Sequence, residues 1–336
     1  MKILFSSYAF HPSVGGIESV SAILAEEFVA AGHAVELITE TGGAADSPSS
    51  FGLTRQPTVR RMMQLLRWSD VLFQNNISLR SLLPALLMRK PVVVVHQTWI
   101  RNVQGKTGWN DRVKRAVLRR VTNIAISQAI ADDISTPCTL IPNPYRDDLF
   151  RLLPELSRER ALVFLGRLVS DKGVDLLLEA MTLLRRDGLK PDLTVIGIGP
   201  ESENLRRTVR ELGIDGQVNF VGGQAGEELV RLLNRHRVMV IPSLWAEPFG
   251  VVALEGLACG CVPAGSEQGG LKEAIGPCGL TFQNGYATAL AECLKTLLTD
   301  PLREEELRRR APPHLARFRA QQIAGEHLKL LEQIAR

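Results

Sequence analysis

The sequence predicts an α/β protein built from two parallel-sheet domains in series. Three observations predict it. Short strands and amphipathic helices alternate along nearly all of the 336 residues. The strands are almost wholly apolar, the pattern of strands covered on both faces. A break at Ile141–Pro154, punctuated by Pro142, Pro144 and Pro154, interrupts the alternation before it restarts. Each proline biases the residue before it away from helix, so this stretch reads as a linker.

In the first half, Lys2–Ser7 reads as a strand. Gly16–Ala31 carries Ile17, Val20, Ile23, Leu24 and Phe28 at helical spacing. Val35–Thr39, Val71–Gln74, Val92–Val95 and Ile124–Ile126 read as further strands, and Thr41–Ser50 as a loop of Gly, Ala, Ser and Pro. In the second half, strands are expected at Leu162–Leu165, Leu193–Ile196, Val218–Phe220, Val238–Ile241 and Val262–Ala264. Helices are expected at Val174–Arg186, Glu201–Leu212, Glu227–Arg235 and Val251–Cys259, with a last helix at Gln321–Arg336. The expected domains are 1–150, 151–315 and a terminal helix, 316–336.

Composition narrows the function. Hydrophobic residues at 45% and charged residues at 23% exclude a disordered chain or a small disulfide scaffold. The apolar runs fall far short of the ~20 residues of a membrane span. Met1–Phe10 runs straight into polar residues and makes a poor signal peptide. Five cysteines without a CxxC pair suit a reducing cytosol. Residues 55–120 hold 14 Lys/Arg against Asp70 and Asp111, so this stretch carries +12 and favours an anion: phosphate, membrane or nucleic acid.

Four loops stand at strand–helix junctions. Gly15-Gly16 follows the first strand and opens the first helix, either as a plain turn or as an anion cradle. Gly197-Ile-Gly199-Pro200 also follows a strand but lacks the third glycine of a dinucleotide fingerprint. Gly166-Arg167…Lys172-Gly173 places a guanidinium fork and an ammonium on one turn, suited to a diphosphate or to a surface ion-pair loop. The fourth runs Pro242-Ser-Leu-Trp-Ala-Glu247-Pro-Phe249-Gly250-Val251…Glu255, two glutamates eight apart. Glu255, expected about 12 Å along the helix axis from Glu247, falls beside Leu254 and Ala258, where a carboxylate needs a partner or a ligand. The histidines lack spacing such as HExxH, and Asp132-Asp133 lies far along the chain from these loops, so no metal site is expected.

The E-x7-E spacing with its P-S-x-x-E-P-F-G lead-in resembles the retaining glycosyltransferases of family four, of GT-B fold. Gly15-Gly16, His96 at a strand end, Ile141-Pro-Asn-Pro, Val218-Asn-Phe-Val-Gly-Gly223 and Gly269-Gly270-Leu271-Lys-Glu273 agree with it. The resemblance implies two Rossmann-like domains facing across a cleft, with the last helix crossing back to the first domain. It implies a metal-independent, cofactor-free transfer of a sugar from a nucleotide-diphosphate sugar to a glycan, lipid-linked or small-molecule hydroxyl. Arg167 and Lys172 would hold the diphosphate. Glu247 would contact the donor sugar beside Phe249–Val251, and Glu255 the ribose. Gly15 and Gly16 would close on the phosphates, and His96 would point at the reacting sugar, unless it only caps its strand. Gly166 shares the phosphate turn. Gly197, Gly199, Val221 and Gly222 would lie near the base, and Gly269, Gly270 and Leu271 by the phosphate and sugar. The first half, shorter than in many relatives, leaves the acceptor open.

Two other readings stand beside this one: a GT-B nucleotide-sugar epimerase, and a non-catalytic lipid- or anion-binding protein using the +12 stretch. Residues 101–120 carry seven cations against Asp111, with Trp109, Val113, Val117 and Leu118 as an apolar stripe if 109–120 is helical. Such a face suits the surface of an anionic membrane. Little aromatic interleaving argues against nucleic acid. The expected location is the cytoplasm, with peripheral contact at the inner face of the membrane.

Overall fold

The computed structural model describes residues 1–13, 15–43, 50–100 and 108–335, with the side chains of Trp109 and Asn110 excepted. Part of the Thr41–Ser50 loop, together with Arg101, Lys106 and the Trp109 side chain of the basic stretch, lies outside the described residues. The chain forms two compact units. One is Met1–Tyr145 with Phe318–Arg336, and the other is Arg146–Arg317.

The first unit is a parallel sheet of β1 (Lys2–Ser7), β2 (Ala34–Thr39), β3 (Gly52–Arg55), β4 (Val71–Asn75), β5 (Val92–His96), β6 (Thr122–Ala125) and β7 (Thr139–Leu140). Their spatial order is β3-β2-β1-β4-β5-β6-β7, with Phe5 opposite both Leu37 and Phe73. The order reverses between β1 and β4, the switch point at which an open parallel sheet gathers ligands beyond its strand ends. β4 and β5 are buried at every residue, which accounts for their apolar sequence. The edge pieces β3 and β7 went unread, because a half-exposed Gly-Leu-Thr-Arg has no buried face to impose a pattern.

Helix Gly16–Ala30 buries Val20, Ile23, Leu24 and Phe28 against this sheet. Helix Ala320–Ile334 packs on the same helix. Its buried stripe is Ile323, Ala324, His327, Leu328 and Leu331. Leu330 and Ile334 are only half-buried. Phe5, Phe28, Phe73 and His327 form one aromatic cluster, with Phe73 5.4 Å from both Phe28 and His327.

The second unit's sheet is β8 (Arg160–Leu165), β9 (Leu193–Ile196), β10 (Val218–Gly222), β11 (His236–Ile241), β12 (Val262–Ser266) and β13 (Leu280–Phe282), in the order β10-β9-β8-β11-β12-β13. Its switch point lies between β8 and β11. Helices Val174–Arg186 and Ala287–Thr299 cover one face through Leu177, Met181, Leu184, Leu290 and Leu294. Among the described residues, no helix is long and apolar enough to cross a membrane.

Helix Trp109–Leu118 carries the residues of the expected membrane stripe. Leu118 is fully buried, and Val117 packs against the first unit's core. Arg115 bonds the Asp133 carbonyl and carboxylate. The core thus takes Val117 and Leu118 of that stripe, while Val113 is half-buried.

His327 supplies a pH test of this packing. Burial among aromatic rings pulls its pKa down from 6.5 to about 3, so it sits neutral in the fold. The unfolded chain takes up the proton first, so this share of stability is complete above 6.5 and is lost as pH falls towards 3. We expect the first unit to lose about 1.4 kcal/mol per pH unit in that window through His327. His327→Leu should flatten the slope by that amount in urea unfolding followed by tryptophan fluorescence.

Candidate active site

The second unit gathers its chemistry on loops that leave the carboxyl ends of β8 and β11, on the two sides of the switch point. After β8 the chain passes Gly166 and Arg167, turns through Ser170–Lys172 and enters helix Val174–Arg186. After β11 it runs from Ser243 to Gly250 and enters helix Val251–Ala258. The loops are tied together: the backbone N–H of Leu244 donates to the Asp171 carbonyl at 2.9 Å. Lys172 Nζ donates to Glu247 Oε1 at 2.6 Å, and Ser243 Oγ donates to the same oxygen at 2.6 Å. Both charged side chains are mostly enclosed, at 23% and 13% exposure. Arg167 shares the turn but is exposed.

A third loop closes against the second. Glu247 and Gly269 form a parallel bridge, and the Gly270 N–H donates to the Glu247 carbonyl at 2.7 Å. Gly269 has φ +82°, and a Cβ there would run into the Glu247 carbonyl oxygen. Only glycine combines that left-handed backbone with so close an approach. Leu271 is buried against Gly250, which caps helix Val251–Ala258 at φ +95°. Phe249 is buried and Val251 half-buried. On the far side of β8, the Gly197 N–H donates to the Gly222 carbonyl at 2.8 Å, and the Leu168 N–H to the Ile198 carbonyl at 2.9 Å. This draws Gly166, Gly197, Gly199, Val221 and Gly222 into one set of adjoining strand ends.

Glu255 differs from its expected placement. Helix Val251–Ala258 begins at Val251, so Glu255 lies about 6 Å into it by the standard rise, roughly one turn rather than two. Its carboxyl is half-buried and has no hydrogen-bond partner among the described residues. Burial raises its pKa from 4.5 to about 7, opposed by the charge of Arg146.

The first unit holds the remaining candidates. Gly15 is extended at the start of its helix, and a Cβ on Gly16 would meet nothing within 4 Å. The Glu18 carboxylate, which accepts from Ser13 Oγ at 2.9 Å, already occupies this helix start. An anion in the first turn is itself favourable. His96 ends β5 fully buried, with Nε2 3.1 Å from Asn123 Oδ1 and Nδ1 unpartnered among the described residues. Desolvation lowers its pKa to about 4, which keeps the ring neutral near pH 7.

Sequence reasoning missed several partners. Ser243, Ser266 and Asn284 brace the Glu247 loop, the last two by donating to the Ser243 carbonyl at 2.8 and 3.0 Å. In the first unit, Asn75, Gln97 and Asn143 form a buried amide chain with bonds of 2.7–2.9 Å. The available signal was an amide directly after an apolar strand, as in Gln74-Asn75 and His96-Gln97.

The profile of the family described as Glycosyl transferases group 1 matches residues 146–313. The chain belongs to this family. It is 35% identical over 170 residues to D-inositol 3-phosphate glycosyltransferase of Rhodococcus erythropolis, a match that covers 48% of this chain and 38% of that protein. It is 35% identical over 156 residues to glycogen synthase of Mycobacterium tuberculosis, covering 46% and 37%. The chain thus spans well under half the length of the curated relatives it matches. Among solved structures it resembles Anabaena HepE in complex with UDP, at TM-score 0.84 and 20% identity over 99% of this chain and 100% of that one. Sucrose-phosphate synthase of Thermosynechococcus elongatus follows, at TM-score 0.81 and 21% identity over 99% and 98%. These likenesses show the fold, GT-B, with its two parallel-sheet units.

Gly269→Ala should cost more than about 1 kcal/mol, since alanine is strained at positive φ and the obstructing atom is backbone. Urea unfolding of the variant checks this. Unchanged stability would mean that the Glu247–Gly269 bridge is not held as described.

Proposed function

We propose that the protein is a retaining glycosyltransferase that moves a hexosyl group from a nucleotide-diphosphate sugar to a hydroxyl of a glycan, lipid-linked or small-molecule acceptor. The observation that carries this reading is the Lys172–Glu247 contact beside the β8–β11 switch point, with Arg167 on the same turn. Breaking a sugar–phosphate bond develops positive charge on the ring and negative charge on the diphosphate. Arg167 and Lys172 supply fixed cations for the diphosphate oxygens, and the N–H groups at Gly250–Val251 add a helix N-terminus. The side chains then stabilise the leaving group without a metal. Glu247 reads the sugar's hydroxyls, and the unpartnered Glu255 carboxylate takes the ribose. Retention of configuration rests on the resemblance to family four. Uridine donors come first to test, because HepE and the pneumococcal O-GlcNAc transferase were each solved with UDP.

Peripheral contact with an anionic membrane at the cytoplasmic face is a secondary element of this reading. Arg112, Arg119 and Arg120 remain exposed and support it. Co-sedimentation with anionic and neutral vesicles at low and high salt decides it, and equal, negligible binding to both removes it.

Thermal-shift screening against nucleoside diphosphates tests the donor half, since a ligand of the folded state raises its stability. No shift with any of them would overturn the reading. Lys172→Ala and Glu247→Gln should each lower turnover at least about a hundredfold, the scale of losing one preorganised electrostatic contact. Near-normal turnover of the lysine variant at saturating donor would remove the phosphate assignment. NMR of the first-formed product gives the anomer, and inversion would sink the retaining mechanism.

Glu255 adds a pH test. Its pKa of about 7 means that the carboxylate becomes the main form only above neutrality. Ribose hydroxyls donate best to the ionised group, so nucleotide affinity should rise between pH 6 and 8. Glu255→Gln should abolish the rise and weaken binding, as titration calorimetry at several pH values would read.

A further inference from the structure

The Glu247 loop and the Gly269 loop meet at their parallel bridge, and a third stretch of chain stands behind both. Just after β13, Asn284 Nδ2 donates to the Ser243 carbonyl at 3.0 Å, and Asn284 Oδ1 accepts from the Gln268 N–H at 3.0 Å. One side chain thus ties the root of the Glu247 loop to the root of the Gly269 loop. We propose that Asn284 is a positioning residue for the donor sugar: it sets the place of Glu247, and thereby the preference of the site for a nucleotide sugar over the free nucleotide. The proposal rests on the donor reading above.

The two partners fix the orientation of the amide. A carbonyl only accepts and a backbone N–H only donates, so exchanging the amide's oxygen and nitrogen would lose both bonds. Asn284 therefore works as a spacer of one length and one polarity between the two loops.

Ser243 carries the effect to Glu247. It is buried, its carbonyl is the atom that Asn284 holds, and its hydroxyl donates to Glu247 Oε1 at 2.6 Å. Once a diphosphate draws Lys172 away, that hydroxyl is what keeps the carboxylate in place. A carboxylate that must meet sugar hydroxyls tolerates little displacement, since a shift of about 1 Å can cost on the order of a hundredfold.

Sugar and nucleotide depend on the brace unequally. The diphosphate meets Arg167 and Lys172 on the turn after β8, whereas Asn284 bonds to the loops after β11 and β12. Folding depends on it little. The Ser243 carbonyl also accepts from Ser266 Oγ at 2.8 Å, and Gln268 is exposed, so its N–H can turn to water. Asn284 itself is half-buried, and removing its side chain strands neither partner.

The test compares the full chain with Asn284→Ala by titration calorimetry against UDP, UDP-glucose, UDP-galactose and UDP-N-acetylglucosamine, and by amide hydrogen exchange. The nucleotide sugar that the wild type binds most tightly should lose at least about tenfold in affinity, while UDP changes by less than about twofold. Asn284→Asp keeps an acceptor for Gln268 but sets a carboxylate against the Ser243 carbonyl, and should lose the sugar likewise. In a Glu247→Gln background, Asn284→Ala should cost the sugar nothing further, as for two residues acting through one contact. Without nucleotide, the Gly270 and Leu244 amides, which bond to the Glu247 and Asp171 carbonyls, should exchange at least about fivefold faster in Asn284→Ala. Unchanged exchange at both amides, equal losses of UDP and sugar, or an undiminished loss in the Glu247→Gln background would each overturn the proposal. A wild type that binds UDP but no nucleotide sugar more tightly than UDP also overturns it and leaves the nucleotide site standing. A wild type that binds none of the four overturns the donor reading, and faster exchange at Gly270 would then uphold the brace on Glu247 alone.

Discussion

A parallel sheet must be covered on both faces, and that constraint decides where polar chemistry can go in this protein. Strands such as Val92–His96 have no solvent side on which to place a functional group. The outlet is the carboxyl end of each strand, where the ladder stops and the backbone turns away. In the second unit those ends carry Lys172, Glu247 and the glycine loops. In the first they carry buried amides, His96 and the exposed ring of Tyr8.

The resting electrostatics of the second unit suit an exchange of partners. Glu247 is charge-matched by Lys172 and also bonded by Ser243. On the proposed reading, a diphosphate that engages Lys172 leaves the serine holding the carboxylate in place. Glu247 is then free to accept from sugar hydroxyls without having to reorient. Glu255 is prepared differently. Enclosure with no partner raises the energy of its charged form, so a donor hydroxyl at that position relieves a cost already present.

The buried strands and main helices were legible because burial on both faces writes itself as continuous apolar runs, and one-sided burial as helical spacing. The edge strands β3, β7 and β13 were not, since pairing on one side asks little of side chains. The loop motifs around Arg167, Lys172, Glu247 and Gly269 could be read because phosphate-like anions and close backbone approach demand particular residue types. What could not be read was who touches whom: that Lys172 reaches Glu247 across 75 positions, or that Ser266 and Asn284 brace Ser243. The start of the helix at Val251, which shortens the separation of the two glutamates, depends on the left-handed Gly250. The apolar residues of Trp109–Leu118 could serve a membrane or a sheet, and periodicity alone does not distinguish the two.

The chain leaves the first unit at Tyr145 and re-enters it at Phe318, and the Tyr145 N–H donates to the Phe318 carbonyl at 3.3 Å. In order of synthesis, the second unit is therefore nested inside the first. A ribosome has delivered every residue of the inner unit before the outer one receives the helix that covers Phe28 and Phe73. Until then, the outer unit presents an aromatic face with nothing over it. Assembly of the inner unit can precede that last docking step, whereas the outer unit waits for helix Ala320–Ile334 to be made.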